Sequence, residues 1–196
     1  MCKRYRLESR SPAQSGLRTL SVWRSNEAVM NESHQVYLNL GSNIQPEINL
    51  VKAVELLHEY GEVKKVSNAW ESEAVGMDGP NYLNACVLFL APYMLIELKD
   101  KVIRPIESQL GRLRQENKYA PRTIDIDIIL FDEIPFNLKV WGFAFVIIPL
   151  EEIHSDYKNP TTNETVSQTA ARIRQEVWMV MRPKVLSSFT GGMQKS

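Results

Sequence analysis

A chain of 196 residues, 44% hydrophobic and 23% charged, has the make-up of one globular domain with its own core and is too short for two of comfortable size. Its 23 basic and 23 acidic residues balance to zero formal charge, which argues against a general binder of nucleic acid or anionic membranes, and no apolar run reaches the roughly 18 residues of a membrane span. The two cysteines, Cys2 and Cys86, lie far apart without metal spacing, which points to a reducing, cytoplasmic setting, and His34, His58 and His154 are too few for a histidine-rich metal site.

Residues 1–34 differ in composition from the rest of the chain. Arg4, Arg6, Arg10, Arg18 and Arg24 stand among serines, with few acids and no apolar period. Such a start is either a transit peptide or a disordered extension, with Met30 as a natural first residue, and it is set apart from the fold. The expected domain is 35–185, with a tail at 186–196. Residues 36–40 read as a short buried strand, stopped by Gly41-Ser42-Asn43. Pro46 suits the first turn of a helix in which Ile48, Val51, Val54 and Leu57 recur at helical spacing until Gly61. A long strand is expected over 63–75, a turn over 76–80 and another strand over 82–90. Pro92 opens a second helix, with Leu95, Leu98, Val102, Ile106 and Leu110 on one side and Gly111 at its end. Pro105 inside it lacks an N–H and predicts a kink.

A basic loop from Arg112 to Arg122 then leads into a strand at 124–131. The order strand, helix, strand, strand, helix, strand is that of a ferredoxin-like βαββαβ sandwich of the α+β class, an antiparallel sheet with helices packed on one face. Residues 143–150 and 166–174 add a C-terminal strand and helix.

The chemistry concentrates in 118–129, Lys-Tyr-Ala-Pro-Arg-Thr-Ile-Asp-Ile-Asp-Ile-Ile. Alternation along a strand puts Asp125 and Asp127 on one face, roughly 6.5 Å apart, and Ile124, Ile126 and Ile128 on the other. Neighbouring carboxylates repel and strands disfavour Asp, so a positive partner is called for. Magnesium takes one or two carboxylates together with waters and substrate phosphates, and a pair of such ions can clamp a transferring phosphoryl group. Arg112, Arg114, Lys118 and Arg122 lead into this strand with only Glu116 opposing them, and guanidinium groups grip phosphate oxygens in pairs. The plain alternatives are a solvated pair of aspartates and a solvated cationic turn.

The same stretch resembles the signature of the 6-hydroxymethyl-7,8-dihydropterin pyrophosphokinases of folate biosynthesis. That signature is a basic residue, a spacer, a small residue, Pro-Arg, two spacers, then Asp-aliphatic-Asp and two aliphatics. Residues 118–129 match every defined position. Leu40-Gly41-Ser42-Asn43, Tyr82-Leu83-Asn84, Ile106-Glu107 and Gly111-Arg112-Leu113-Arg114 keep the family's order, and residues 145–153 resemble its later core strand. The resemblance covers about 36–174.

It implies transfer of pyrophosphate from ATP, the co-substrate, to the hydroxymethyl oxygen of a reduced pterin, leaving AMP. It further implies that Asp125 and Asp127 hold two Mg²⁺ ions and that Arg112 and Arg122 grip the phosphates and assist catalysis. Glu107, Arg114, Lys118 and Ile128 would lie along ATP. The pterin would stack between Tyr82 and Phe145, with Asn84 and the backbone near Ser72 and Val75 reading its edge. On the residues alone, Tyr82 and Phe145 are equally core aromatics and Asn84 a turn-satisfying amide.

One departure stands out. Between the Asp-Asp strand and the later core strand the family carries a longer segment, with a Pro-His pair and an Arg just before the stacking Phe. Here 132–144 has neither His nor Arg, and Phe143 stands where that Arg would lie. A second expectation therefore stands beside the first, a degenerate relative that binds pterin or nucleotide without turnover. A minimal nucleotidyltransferase is disfavoured because its Gly-Ser turn and Asp-x-Asp lie close together, unlike Ser42 and Asp125. An RNA-binding module is disfavoured by neutral charge and by the lack of clustered aromatics with basic residues. The resemblance leads to a monomer acting on small molecules, with no nucleic-acid or membrane partner.

Overall fold

The computed structural model describes residues 33–74, 79–113 and 120–190; the expectations for the first 32 residues lie outside these. Strand β1 (His34–Ser42) runs through the middle of a seven-stranded antiparallel sheet. Its run of apolar residues suits a strand covered on both faces. Helix α1 (Pro46–Tyr60) comes next, with Pro46 in its first turn and the Gly61 N–H bonded to the Leu57 carbonyl at 3.2 Å. The expected strand at 63–75 is instead two, β2 (Glu62–Val66) and β3 (Ala69–Ser72). Both pair with β4 (Tyr82–Ala91), but the five residues from Val66 to Trp70 face the four from Val87 to Asn84. The extra residue is a bulge, and the Asn68 N–H leaves the ladder to bond Glu152 at 2.7 Å.

Helix α2 is continuous in three segments: Leu95–Leu98, a π-helical turn at Lys99–Ile103, and Arg104–Gln109. Pro105 falls in the first turn after the widened one, where its missing N–H interrupts little, so the helix continues past it. Strand β5 (Asp125–Phe131) pairs with β1 and turns through Asp132 and Glu133, both at positive φ, into the short β6 (Ile134–Pro135). The sheet order β6-β5-β1-β4-β3-β7, with β2 also on β4, sets β1 between β5 and β4 as the βαββαβ order requires.

Residues 143–150 are not a strand. Helix α3 (Ala144–His154) takes their place, after a 3₁₀ turn at Leu138–Gly142. Val146, Ile147, Ile148, Leu150 and Ile153 are all buried, as in a helix covered on several sides. Helix α4 (Val166–Ile173) opens with a reciprocal cap between Thr165 and Gln168. Strand β7 (Met179–Arg182) then pairs with β3, an edge strand the sequence did not announce. Leu186 is fully buried and Ser187–Thr190 forms the helical turn α5, so order extends past residue 185.

Helices cover both faces of the sheet, not one. Val36, Leu38 and Leu40 of β1 pack with α1 and α2 in the main core. Tyr37, Cys86, Leu88, Ile129 and Leu130 pack with α3 and α4 in a second core. A bulge in β5 between the Leu38–Ile128 and Tyr37–Leu130 pairs lets Ile129 and Leu130 both reach that second face. The covering helices stop short of one end of the second face, and there the polar side chains gather.

Candidate active site

The floor of the site is a patch of four strands. Register places Asp127, Asn39 and Cys86 in one row across β5, β1 and β4, and Asp125, Gly41, Asn84 and Trp70 in the next, which extends to β3. Asp125 and Asp127 therefore share a face, and Asn84 lies two strand spacings from Asp125, about 10 Å. Gly41 leaves room between them: a Cβ there would meet the Asn84 Oδ1 at 3.1 Å, a tight contact that would push the amide aside.

Both arginines converge on Asp125. Arg112 reaches its Oδ1 at 2.7 Å and Arg122 pairs with its Oδ2. Arg112 also pairs with Glu107, which is 4% exposed and accepts the Ile126 N–H at 3.1 Å. Gly111, at φ 75°, makes the turn that swings Arg112 back towards that carboxylate, and the Arg112 N–H closes it on the Glu107 carbonyl at 2.9 Å. Burial raises the Glu107 pKa above the usual carboxylate range, with Arg112 acting in the opposite direction. The positive partner that two adjacent aspartates call for is thus supplied to Asp125 by guanidinium groups.

Asp127 is different. It opens onto the cleft and has no ion pair among the described residues. Its pKa is pushed up to about 6, first by the low-dielectric walls around it and then by Asp125. Among the described residues no cluster of three or more His, Cys, Asp or Glu could hold a metal. Two carboxylates with open space in front suit magnesium, which keeps several waters and takes the rest of its oxygens from phosphate; they do not suit a metal needing a full protein cage.

A cleft of about 710 Å³ lies before the pair, within the usual range for small-molecule sites. Glu107, Arg112, Arg122, Asp125, Asp127, Ile128 and Phe145 of the sequence-derived set line it. Ser72, Tyr82 and Asn84 are not part of its lining; the register puts them on the same face of the sheet as the aspartates. Asn84 is 3% exposed and donates through Nδ2 to the Ser72 Oγ at 3.1 Å. Phe145 projects from the first turn of α3, with Phe143 stacked on it at 5.1 Å. Arg114, Lys118 and Val75 lie outside the described residues.

Other residues here receive no role from sequence reasoning. Asn43, in sequence a turn residue of the Leu40-Gly41-Ser42-Asn43 motif, accepts the Arg122 N–H through Oδ1 at 2.8 Å, donates its own N–H to the Arg122 carbonyl at 3.2 Å, and reaches the Pro80 carbonyl at 3.4 Å. Ser42 donates to the Thr123 carbonyl at 2.6 Å. The Gly-Ser-Asn turn is a clasp that holds the arginine-bearing segment against β1. Lys99 and Arg104 of α2 also line the cleft, as do Phe136 and Phe143 from the shortened segment, and the Lys99 Nζ stands 4.5 Å over the Phe136 ring. The segment without His or Arg therefore meets cations from α2.

Comparison with known proteins adds to this geometry. Residues 37–155 match the family model for 7,8-dihydro-6-hydroxymethylpterin-pyrophosphokinase. The chain is 36% identical over 140 residues to the 2-amino-4-hydroxy-6-hydroxymethyldihydropteridine pyrophosphokinase of Aquifex aeolicus, covering 64% of this chain and 86% of that protein. It is also 36% identical over 152 residues to the enzyme of the same name from Bacillus subtilis, covering 70% and 88%. Among solved structures, Plasmodium falciparum HPPK-DHPS with pterin and p-hydrobenzoate superposes with a TM-score of 0.57 at 13% identity, a likeness of fold covering 74% of this chain and 46% of that one.

Proposed function

The chain belongs to the 7,8-dihydro-6-hydroxymethylpterin-pyrophosphokinase family, and from that premise we propose how its cleft performs the family's reaction. The enzyme transfers pyrophosphate from ATP to hydroxymethyldihydropterin in folate biosynthesis, with ATP as co-substrate. The hydroxymethyl oxygen bonds to the β-phosphorus, the bond from that phosphorus to the α-phosphate oxygen breaks, AMP leaves and the hydroxyl proton passes to solvent.

Asp125 and Asp127 would hold the two Mg²⁺ ions of this reading. When bound, magnesium neutralises the triphosphate and withdraws charge from the reacting phosphorus. Arg112 and Arg122 exchange the Asp125 carboxylate for phosphate oxygens, which a planar guanidinium grips with two parallel hydrogen bonds. Glu107 keeps Arg112 aimed at the cleft during that exchange. By the family resemblance Ile128 would lie along the nucleotide, as would Arg114 and Lys118, which fall outside the described residues. The pterin stacks between Tyr82 and Phe145, and the Asn84 carboxamide, its NH₂ committed to Ser72, presents its oxygen to an N–H edge of the ring.

The observation that carries this reading is the convergence of Arg112 and Arg122 on one of two aspartates that share a strand face. The same reading makes the protein a monomer of the cytoplasm acting on small molecules, with neither nucleic acid nor membrane as partner. Among the described residues no helix is long and apolar enough to cross a membrane. The competing view, a relative that binds without turnover, is not favoured by relatives named for the activity.

The decisive assay mixes the purified full chain with Mg²⁺, ATP and reduced hydroxymethylpterin. AMP and pterin diphosphate are expected in equal amounts. Calorimetric binding of both substrates with no AMP released would establish the non-catalytic relative instead.

A further inference from the structure

The two walls assigned to the pterin stand on separate elements: Tyr82, Asn84 and Ser72 on the sheet, Phe145 on α3. Something must fix the gap between them, and Glu152 is placed to do so. Phe145 and Glu152 are seven residues apart, two helical turns, so they share the side of α3 that meets the sheet. The Glu152 Oε1 accepts the Trp70 Nε1–H at 2.7 Å. Its Oε2 accepts both the Asn68 backbone N–H at 2.7 Å and the Asn68 Nδ2 at 3.0 Å.

The clamped strand is the one that shapes the slot. Trp70 sits opposite Asn84 and Ser72 opposite Tyr82, and the Ser72 hydroxyl receives the Asn84 amide. Arg174 adds a cation 5.7 Å from the Trp70 ring and is itself held by Glu151 at 2.5 Å, tying α4 to the same junction. None of Asn68, Trp70 and Glu152 borders the nucleotide side of the cleft.

We propose that Glu152 is a positioning residue for the pterin, its clamp on Asn68 and Trp70 setting the width of the slot between Phe145 and Tyr82. This rests on the assignment of the pterin to that slot. A carboxylate is needed because both of its oxygens accept. Glutamine has the same shape but one acceptor, so either way round its NH₂ meets an N–H of Trp70 or those of Asn68.

The test compares Glu152→Gln, Trp70→Phe and the double variant in the full chain, with Phe145→Ala as control, by the KM for pterin, the KM for ATP and Tm. Glu152→Gln is expected to raise the pterin KM about tenfold and to leave the ATP KM within about twofold. Trp70→Phe, which deletes a single hydrogen bond, raises the pterin KM less. The double variant costs less than the sum of the two, because the opposing N–H is gone.

A fall in Tm with both KM values moving together, or with neither moving, overturns the inference and leaves Glu152 a structural residue. Should Glu152→Gln fail to fold, Trp70→Phe decides on the same two KM values. If Phe145→Ala leaves the pterin KM unchanged, the slot assignment itself is wrong and the clamp falls with it. If Phe145→Ala raises that KM and Glu152→Gln does not, the slot stands and only the clamp is refuted.

Discussion

Replacing Asn43 by Ala tests whether the Gly-Ser-Asn turn is part of the catalytic apparatus. Asn43 is 7% exposed and contributes two side-chain hydrogen bonds, from the Arg122 N–H at 2.8 Å and to the Pro80 carbonyl at 3.4 Å. The second is long and weak. The first matters more, because the alanine variant leaves the Arg122 N–H without its acceptor. An unsatisfied buried donor costs about 1–3 kcal/mol. Arg122 is partly open to the cleft, where water can take over part of that bond, so the low end applies. For a domain of this size about 1 kcal/mol corresponds to a fall of about 2–4 °C in Tm.

The catalytic effect should be larger than the stability effect. The Arg122 backbone is tied to Asn43 by two bonds, and the variant keeps only the Asn43 N–H to Arg122 carbonyl bond at 3.2 Å. A guanidinium displaced by the better part of 1 Å loses up to about 10²-fold in rate. Melting and AMP release measured side by side should therefore show a Tm lower by a few degrees and a kcat lower by about ten- to a hundredfold. Asn43→Asp keeps an acceptor for the Arg122 N–H and should recover most of the rate. A Tm shift of the expected size with kcat unchanged would refute the reasoning and reduce the turn to scaffolding.

Other expectations come from the same geometry. Arg122→Ala should lower kcat by about 10³-fold or more, as for other arginines on a transferring phosphoryl group, and Arg122→Lys should recover little because a point charge cannot bind two oxygens in parallel; a rate near wild type for either variant would contradict the role. Thr123→Val should raise stability by about 1 kcal/mol, since the Thr123 Oγ1 is buried without a hydrogen-bond partner, and an unchanged or lower denaturation midpoint would count against it. Burial drives the Cys86 thiol far above its ordinary pKa, and the side chain is fully buried, so it should react with a thiol reagent only as fast as the domain opens. Rapid labelling of Cys86 under native conditions would show that the second core is open to solvent.

What the sequence reveals about this protein is mostly local. The alternation of Asp125, Ile126, Asp127 and Ile128 is enough to put two carboxylates on one face, and Pro46 with the stripe of Val54 and Leu57 is enough to mark α1. Failures occur where a distant partner decides the outcome. Residues 63–75 carry no internal sign of the break at Asn68, whose N–H goes to a carboxylate on α3. The β-branched run Val146-Ile147-Ile148 has the composition of a buried strand, and it is helical because the sheet on one side and α4 on the other bury it as a helix. Pro149 sits within that helix and supplies no N–H to the Phe145 carbonyl.

The site shows the same division. The Asp pair and its arginines are legible, since signature residues crowd into one short stretch. Asn43 is not, because the arginine it holds is 79 residues away. Lys99 and Arg104 carry no sequence sign of a role; the widened turn of α2 and the short segment before α3 bring them to the cleft beside Phe136 and Phe143. The absence of His and Arg from 132–144 does not convey what the fold brings there from elsewhere.

The most direct measurement is the single-turnover rate of AMP formation by Asp127→Asn, with pterin binding followed separately by calorimetry. Asparagine keeps the size and one oxygen but removes the charge that faces the cleft beside Asp125. The account predicts a loss of at least about 10³-fold in the transfer step with pterin affinity preserved. Transfer at close to the normal rate would contradict it, because chemistry would then be proceeding without the one carboxylate of the pair that no arginine neutralises among the described residues and that faces the cleft.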